Sequence, residues 1–390
     1  MIDYEKYPEL TTTQLHEAFD FAIEQIRRNL PEFTYKCQSS NSVNNHYYAE
    51  ENLEWTTGFW PGEIWLAYER TGDPVFSLAG QIFVQSFLHR IENKIEVDHH
   101  DMGFLYSLSC VSAYHLTGDK DARTAAILAA DQLASRWNAK GKFIQAWGPY
   151  GSPDHNRLII DCLLNLGLLF WASEETGKPH YKDLAVQHID TTLKNAIRDN
   201  GSAYHTYYFD VETGAPLRGV THQGYKDESS WARGQAWAIY GTAISYRYTG
   251  IEKYREYFEK TLAYFIQRLP ENLVPYWDLD FVDGSGEPLD SSASSIVACG
   301  LLEMADRTES PEDKRRYRKL ASALMAAVIQ ECAVKDHEIS NGLVLNGTYA
   351  KHSEYNGIPK DRGVDECVSW GDYYYMEALT RLSTNWEPYW

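Results

Sequence analysis

One kind of segment recurs six times along the chain, and this repeat constrains the fold more than any other feature. It reads WTTGFWPGEIWLAYERTGD from Trp55, DMGFLYSLSCVSAYHLTGD from Asp101 and RLIIDCLLNLGLLFWASEETG from Arg157. It returns as SSWARGQAWAIYGTAISYRYTG from Ser229, DSSASSIVACGLLEMADRTES from Asp290 and SWGDYYYMEALTRL from Ser369. Each copy opens with polar and aromatic residues and runs on as an apolar helix. Gly72, Gly118, Gly177 and Gly250 stand where a left-handed helix stop favours glycine. The apolar positions cover nearly the whole circumference, which marks a buried helix. Between these segments lie amphipathic stretches at 12–29, 74–91, 121–137, 182–197, 254–268 and 311–332. Their charge keeps to one face, so they read as outer helices.

Alternating outer and inner helices, six of each, predict an all-α protein, an (α/α)6 barrel, with 1–390 as one catalytic domain. Five pairs or an open solenoid are the alternatives. The loops 33–54, 138–156, 199–230 and 270–290 are long enough to be functional. Within 199–230, AYHTYYFD followed by ETGAPLRG reads as a small hairpin.

Parallel inner helices bring their N-termini to one end of the barrel. The unusual polar and aromatic residues sit at those starts: Trp55, His99, His100, Asp101, Arg157, Asp161, Trp231, Arg233, Gln235, Asp290, Ser291, Ser292, Trp370 and Asp372. The positive ends of the helix dipoles converge there too and favour an anion. Asp161, inside LIIDCLLNLGLL, is desolvated, which favours its acid form and suits it to general acid work. The structural alternative is a carboxylate buried against Arg157 or a helix N-terminus. Asp101, in HHDMGF, opens an apolar helix, and its alternative is a plain N-cap. HHD resembles a metal cluster, but no H-E-x-x-H spacing supports it, so neither metal nor cofactor is expected. No G-x-S-x-G elbow and no glycine-rich phosphate loop occur, which excludes serine hydrolases and kinases.

The net charge of −19 argues against nucleic acid and anionic membranes as partners, though not against a small anionic substrate. The 12 Trp and 28 Tyr fit either an aromatic core or a sugar cleft. The six cysteines form no C-x-x-C pair. MIDYEKYPELTTTQ has neither the basic nor the apolar region of a signal peptide, and no long uncharged apolar run follows. A cytoplasmic protein is expected.

These motifs, with IQAWGP, YHTYYFD and THQGY, resemble the unsaturated glucuronyl hydrolases, glycoside hydrolase family 88, over residues 55 to about 380. The resemblance implies the same barrel. It implies removal of a Δ4,5-unsaturated uronic acid from the non-reducing end of lyase-generated oligosaccharides. The vinyl ether is hydrated, the hemiketal opens and the aglycone leaves, without metal or covalent glycosyl-enzyme. Asp161 falls on the catalytic acid/base and Asp101 on the second essential carboxylate. His205, His222, Gln223, Arg233 and Trp237 match substrate-contacting positions, and Trp55, Trp147 and Tyr349 the pocket walls. Arg233 is the expected bidentate partner of the uronate carboxylate. The chain departs from relatives that favour sulfated fragments. These tend to carry Arg where His222 stands, and a Ser/Lys motif where TYAKHSEYNGIPKDRG offers Lys351, Ser353 and Lys360. An unsaturated rhamnogalacturonyl hydrolase, an inverting glycosidase on the same barrel and a non-catalytic sugar-binding barrel are the competing readings.

Overall fold

The computed structural model describes residues 6–390, so Met1–Glu5 lie outside the described residues. The helices are α1 (Thr12–Phe33), α2 (Phe59–Thr71) and α3 (Pro74–Glu92). A fourth rod, α4, joins Met102–Tyr106 to Ser112–Thr117 through a π-helical turn at Ser107–Val111. Then come α5 (Lys120–Ser135), α6 (Cys162–Thr176), α7 (Pro179–Ala196) and α8 (Ala232–Thr249). The last are α9 (Glu252–Arg268), α10 (Ser291–Arg307), α11 (Pro311–Glu331) and α12 (Ser369–Ser383).

The even-numbered helices form a closed ring. α2 packs on α4, α4 on α6, α6 on α8, α8 on α10, α10 on α12, and α12 returns to α2. This closure excludes the open solenoid and the five-pair alternative. Burial follows the sequence pattern: α10 is buried on every face from Ser291 to Ala305, whereas α1 buries Leu15, Phe19, Ala22, Ile26 and Leu30 along one stripe.

The repeated Thr-Gly is one device used four times. Gly72, Gly118, Gly177 and Gly250 all lie in the left-handed region, with φ between 63° and 71°. The threonine before each bonds the carbonyl four residues back, at 2.6–2.7 Å. The helix therefore ends with its last turn tied down.

The inner segments differ from the sequence reading at their starts. Arg157–Ile159 is a β-strand, not a first helical turn. It pairs antiparallel with Thr206–Phe209, which pairs with Pro216–Val220. The expected hairpin is thus present, but as two strands of a three-stranded sheet. A second hairpin, Gly347–Ala350 with Arg362–Glu366, arises from the late loop. The π turn in α4 has a visible cause: Trp65 Nε1 donates to the Ser109 carbonyl at 3.1 Å and draws it out of the helical ladder. Among the described residues no helix is long and apolar enough to cross a membrane.

Candidate active site

Asp101 and Asp161 occupy the N-cap positions of α4 and α6, yet neither side chain makes a capping bond. An N-cap aspartate ordinarily accepts a first-turn N–H. Here both carboxylates turn toward each other instead. His100 lies between them, fully buried, with Nε2 3.4 Å from Asp101 Oδ1 and 3.5 Å from Asp161 Oδ1. His99 Nδ1 lies 3.1 Å from Asp101 Oδ2.

The two helix starts meet because Gly103 lets them. A Cβ there would stand 2.5 Å from Asn165 Cα, inside any allowed contact. Asn165 then ties the elements together: its Oδ1 accepts the Phe104 N–H at 2.8 Å and its Nδ2 donates to the Asp161 carbonyl at 3.3 Å. The sequence reading overlooked Asn165. Its signal was present, an amide one turn after Asp161 inside an otherwise apolar run.

The two carboxyls are driven apart electrostatically. Burial, and then the Asp101 charge, push Asp161 well above the ordinary carboxylate range. Burial also raises Asp101, but the neighbouring His100, His99 and Asn165 outweigh it and hold Asp101 below its usual value. The shared environment therefore favours the proton on Asp161 over Asp101. Burial pushes His100 down to about 4, so it is neutral near pH 7.

The remaining predicted residues fall around this pair. His205 is buried, and its Nδ1 accepts the backbone N–H groups of His222 and Gln223 at 2.9 and 3.0 Å. That fixes the His205 proton on Nε2 and pins the 221–224 turn over the sheet. Trp147 lies 5.8 Å from the His222 ring and 6.2 Å from His100, with the Arg157 guanidinium 4.4 Å over its face. On the other side Trp55 stacks on Trp370 at 5.3 Å and donates from Nε1 to the Tyr349 hydroxyl at 3.0 Å. These groups form two aromatic walls.

Four of the predicted residues are engaged by partners within the protein. Arg233 does not hold an open fork. Nη1 donates to Asp290 Oδ2 at 2.7 Å and to the Thr348 carbonyl at 2.6 Å, and Nη2 donates to the Tyr349 carbonyl at 2.7 Å. Its guanidinium lies over Trp231 and Trp370, so it braces the late hairpin instead of waiting for a bidentate ligand. Trp237 is 1% exposed and packs against Phe104 and Tyr374, so it is floor and offers no open stacking face. Gln235 is a brace, spanning Ala203 N, Gly201 O and Thr261 O. Asp372 is buried and accepts from Tyr47 and from the backbone of Leu343 and Val344, away from the mouth.

Half of the tryptophans belong to the deep core; Trp60, Trp65, Trp237, Trp277, Trp370 and Trp390 are fully buried. The late loop is also more committed than its composition suggested. Ser353 Oγ donates to the Tyr225 carbonyl, and Lys351 pairs with Asp361 at 3.6 Å. A cavity of about 340 Å³ at the far end of the toroid, lined by His115, Trp171, Arg247 and Tyr389, contains none of the candidate residues.

His100, Asp101 and Asp161 bring one potential ligand atom each within 4.8 Å of one another, the one such trio among the described residues.

Comparison with known proteins agrees with this geometry. Residues 27–384 match the model for Glycosyl Hydrolase Family 88. The chain is 46% identical over 387 residues to an unsaturated chondroitin disaccharide hydrolase of Streptococcus agalactiae, covering 98% of this chain and 94% of that protein. It is 41% identical over 376 residues to an unsaturated glucuronyl hydrolase of Bacillus sp. strain GL1, covering 96% and 98%. The crystal structure of unsaturated glucuronyl hydrolase from Streptococcus agalactiae superposes with a TM-score of 0.94 at 45% identity, over 99% of this chain and 96% of the other. A closed ring of six helical pairs, two uncapped aspartates at its mouth and a family match along nearly the whole chain lead to one conclusion: the chain belongs to glycosyl hydrolase family 88.

Proposed function

We propose that this chain, acting as one catalytic domain, releases a Δ4,5-unsaturated uronic acid from the non-reducing end of lyase-generated glycosaminoglycan disaccharides by hydrating the vinyl ether. The observation that carries this reading is the Asp101–Asp161 pair. A proton donor stands beside an ionised carboxylate at the convergence of the inner helix N-termini. Asp161 delivers its proton to C4. Positive charge then develops at C5, where the ionised Asp101 stabilises it. Water adds at C5 and returns a proton to Asp161. The hemiketal opens and the aglycone leaves.

Trp55, Tyr349 and Trp147 are the walls for the sugar ring, and His205, His222 and Gln223 supply its polar contacts. The uronate carboxylate meets the positive helix ends and Arg157, which has no carboxylate partner among the described residues. Members with the names given above act on unsaturated chondroitin disaccharides or unsaturated glucuronyl substrates, and that supports the same class here.

The inverting-glycosidase reading fits less well. It needs carboxyls about 6.5–9.5 Å apart to admit a water, whereas these oxygens lie within 4.8 Å. A non-catalytic sugar-binding barrel gives no reason to hold a carboxyl protonated in the cleft. We place the enzyme in the cytoplasm, which its six buried free thiols favour. The test is loss of vinyl ether absorbance on a panel of chondroitin-type and pectic disaccharides. Selective turnover of the pectic set would favour the rhamnogalacturonyl alternative.

A further inference from the structure

We infer that His100 is a positioning residue whose Nε2–H, held between Asp101 and Asp161, serves whichever carboxylate is ionised as the proton moves. The inference rests on the proposed roles of those two aspartates. His100 is completely buried, and neither ring nitrogen has a hydrogen-bond partner. Such isolation of a buried imidazole is unfavourable unless the ring has a use. Its Nε2 stands 3.4 Å from Asp101 Oδ1 and 3.5 Å from Asp161 Oδ1, a full bond to neither and within reach of both. Asp161 Oδ1, the oxygen facing it, also lacks a partner. The backbone fixes the ring in place, since the His100 N–H donates to the Ala146 carbonyl at 2.9 Å, and Trp147 abuts the ring edge.

A neutral imidazole carries one N–H, and two facing carboxyl oxygens select Nε2 for it. Before turnover the donor favours ionised Asp101. When Asp161 gives up its proton, a second carboxylate forms beside the first. The same N–H then closes on it and relieves the repulsion without movement of the backbone. Loose hydrogen bonds that tighten during reaction are usual for unliganded sites.

The charged and titratable groups that face His100 are His99 and Asp101 on its own segment, Asp161 at the start of α6, Arg157 on the sheet and Arg136 at the end of α5. His188 on α7 and His205 on the sheet also face it.

The test compares His100→Gln with His100→Asn. Gln can place an amide N–H near the Nε2 position, whereas Asn places it near Nδ1. Both keep a polar side chain in the space. H100Q is expected to keep kcat within about tenfold of the wild type, and H100N to lose about a hundredfold, the scale of one preorganised donor. KM should change little in either. The donor stabilises the ionised form of both carboxyls, so its loss should move both limbs of the kcat/KM profile to higher pH in H100N. Equal losses in the two variants with unmoved limbs would overturn the inference and leave His100 as packing. Asp161→Asn is assayed alongside. If that variant stays active, the functional reading itself has failed; if it is dead while H100N matches the wild type, only the role of His100 has.

Discussion

Replacing Asp161 with asparagine separates stability from catalysis. The side chain is 14% exposed, at the start of α6, and its Oδ1 has no partner. Burial and the Asp101 charge raise its pKa above the usual 3.8. Between that value and the raised one the folded protein binds a proton that the unfolded chain has lost. Stability therefore falls as pH rises through this window, by about 1.4 kcal/mol for each unit of elevation. Asparagine is neutral at every pH and nearly the same shape, so it removes this loss. D161N is expected to match the wild type in urea unfolding at pH 4 and to exceed it at pH 8. Turnover should fall about a hundredfold to ten-thousandfold, because an amide cannot deliver the proton to C4. That corresponds to about 3–5 kcal/mol of barrier. Urea midpoints by tryptophan fluorescence and substrate loss by ultraviolet absorbance measure both effects. Turnover within tenfold of the wild type would refute the acid assignment. Lower stability at pH 8 would refute the argument that burial and the Asp101 charge raise the Asp161 pKa.

Three further outcomes follow from the same geometry. Gly103→Ala sets a methyl against the Asn165 backbone and should destabilise by about 1–3 kcal/mol, with lower kcat as Asp101 shifts from Asp161; urea titration and kinetics check it. Arg233→Met leaves Asp290 buried without its cation and should lower stability by about 3–5 kcal/mol, while Arg233→Met with Asp290→Asn recovers part of it in a double-mutant cycle. Burial, and then Arg157, lower the pKa of His222, so it is neutral near pH 7; kcat/KM should favour unsulfated over uronate-sulfated disaccharides, and His222→Arg should narrow the gap. Wild type preferring the uronate-sulfated form, with no gain from the arginine, would assign sulfate recognition to the late loop.

The helical repeat was legible because each inner helix must be apolar all round and each outer helix on one stripe, and both patterns are local. The Thr-Gly stops were legible for the same reason: the left-handed turn and the threonine back-bond lie within five residues. Convergence of the helix starts followed from topology alone, which is how Asp101 and Asp161 could be paired across 60 residues of sequence. What sequence patterns could not convey was how each polar group at the mouth is used. Arg233 and Asp372 share the cleft residues' position in the repeat, yet their partners come from separate parts of the chain: Asp290 and the Thr348 and Tyr349 carbonyls for Arg233, and Tyr47, Leu343 and Val344 for Asp372. Arg157–Ile159 reads as helix because its apolar run is continuous with α6, and only its pairing with Thr206–Phe209 makes it a strand. Trp237 and Trp147 are the same residue type in equally aromatic surroundings, and only tertiary packing puts one in the floor and the other in the wall.

The most direct measurement of the central claim compares an unsaturated chondroitin disaccharide with a saturated aryl glucuronide. The reaction is run in heavy water, with absorbance and product mass followed together. Hydration of a vinyl ether by Asp161 should abolish the absorbance band in step with aglycone release and place one deuterium at C4, while the saturated glucuronide stays intact. Steady cleavage of the saturated compound, or aglycone release with no label at C4, would contradict it.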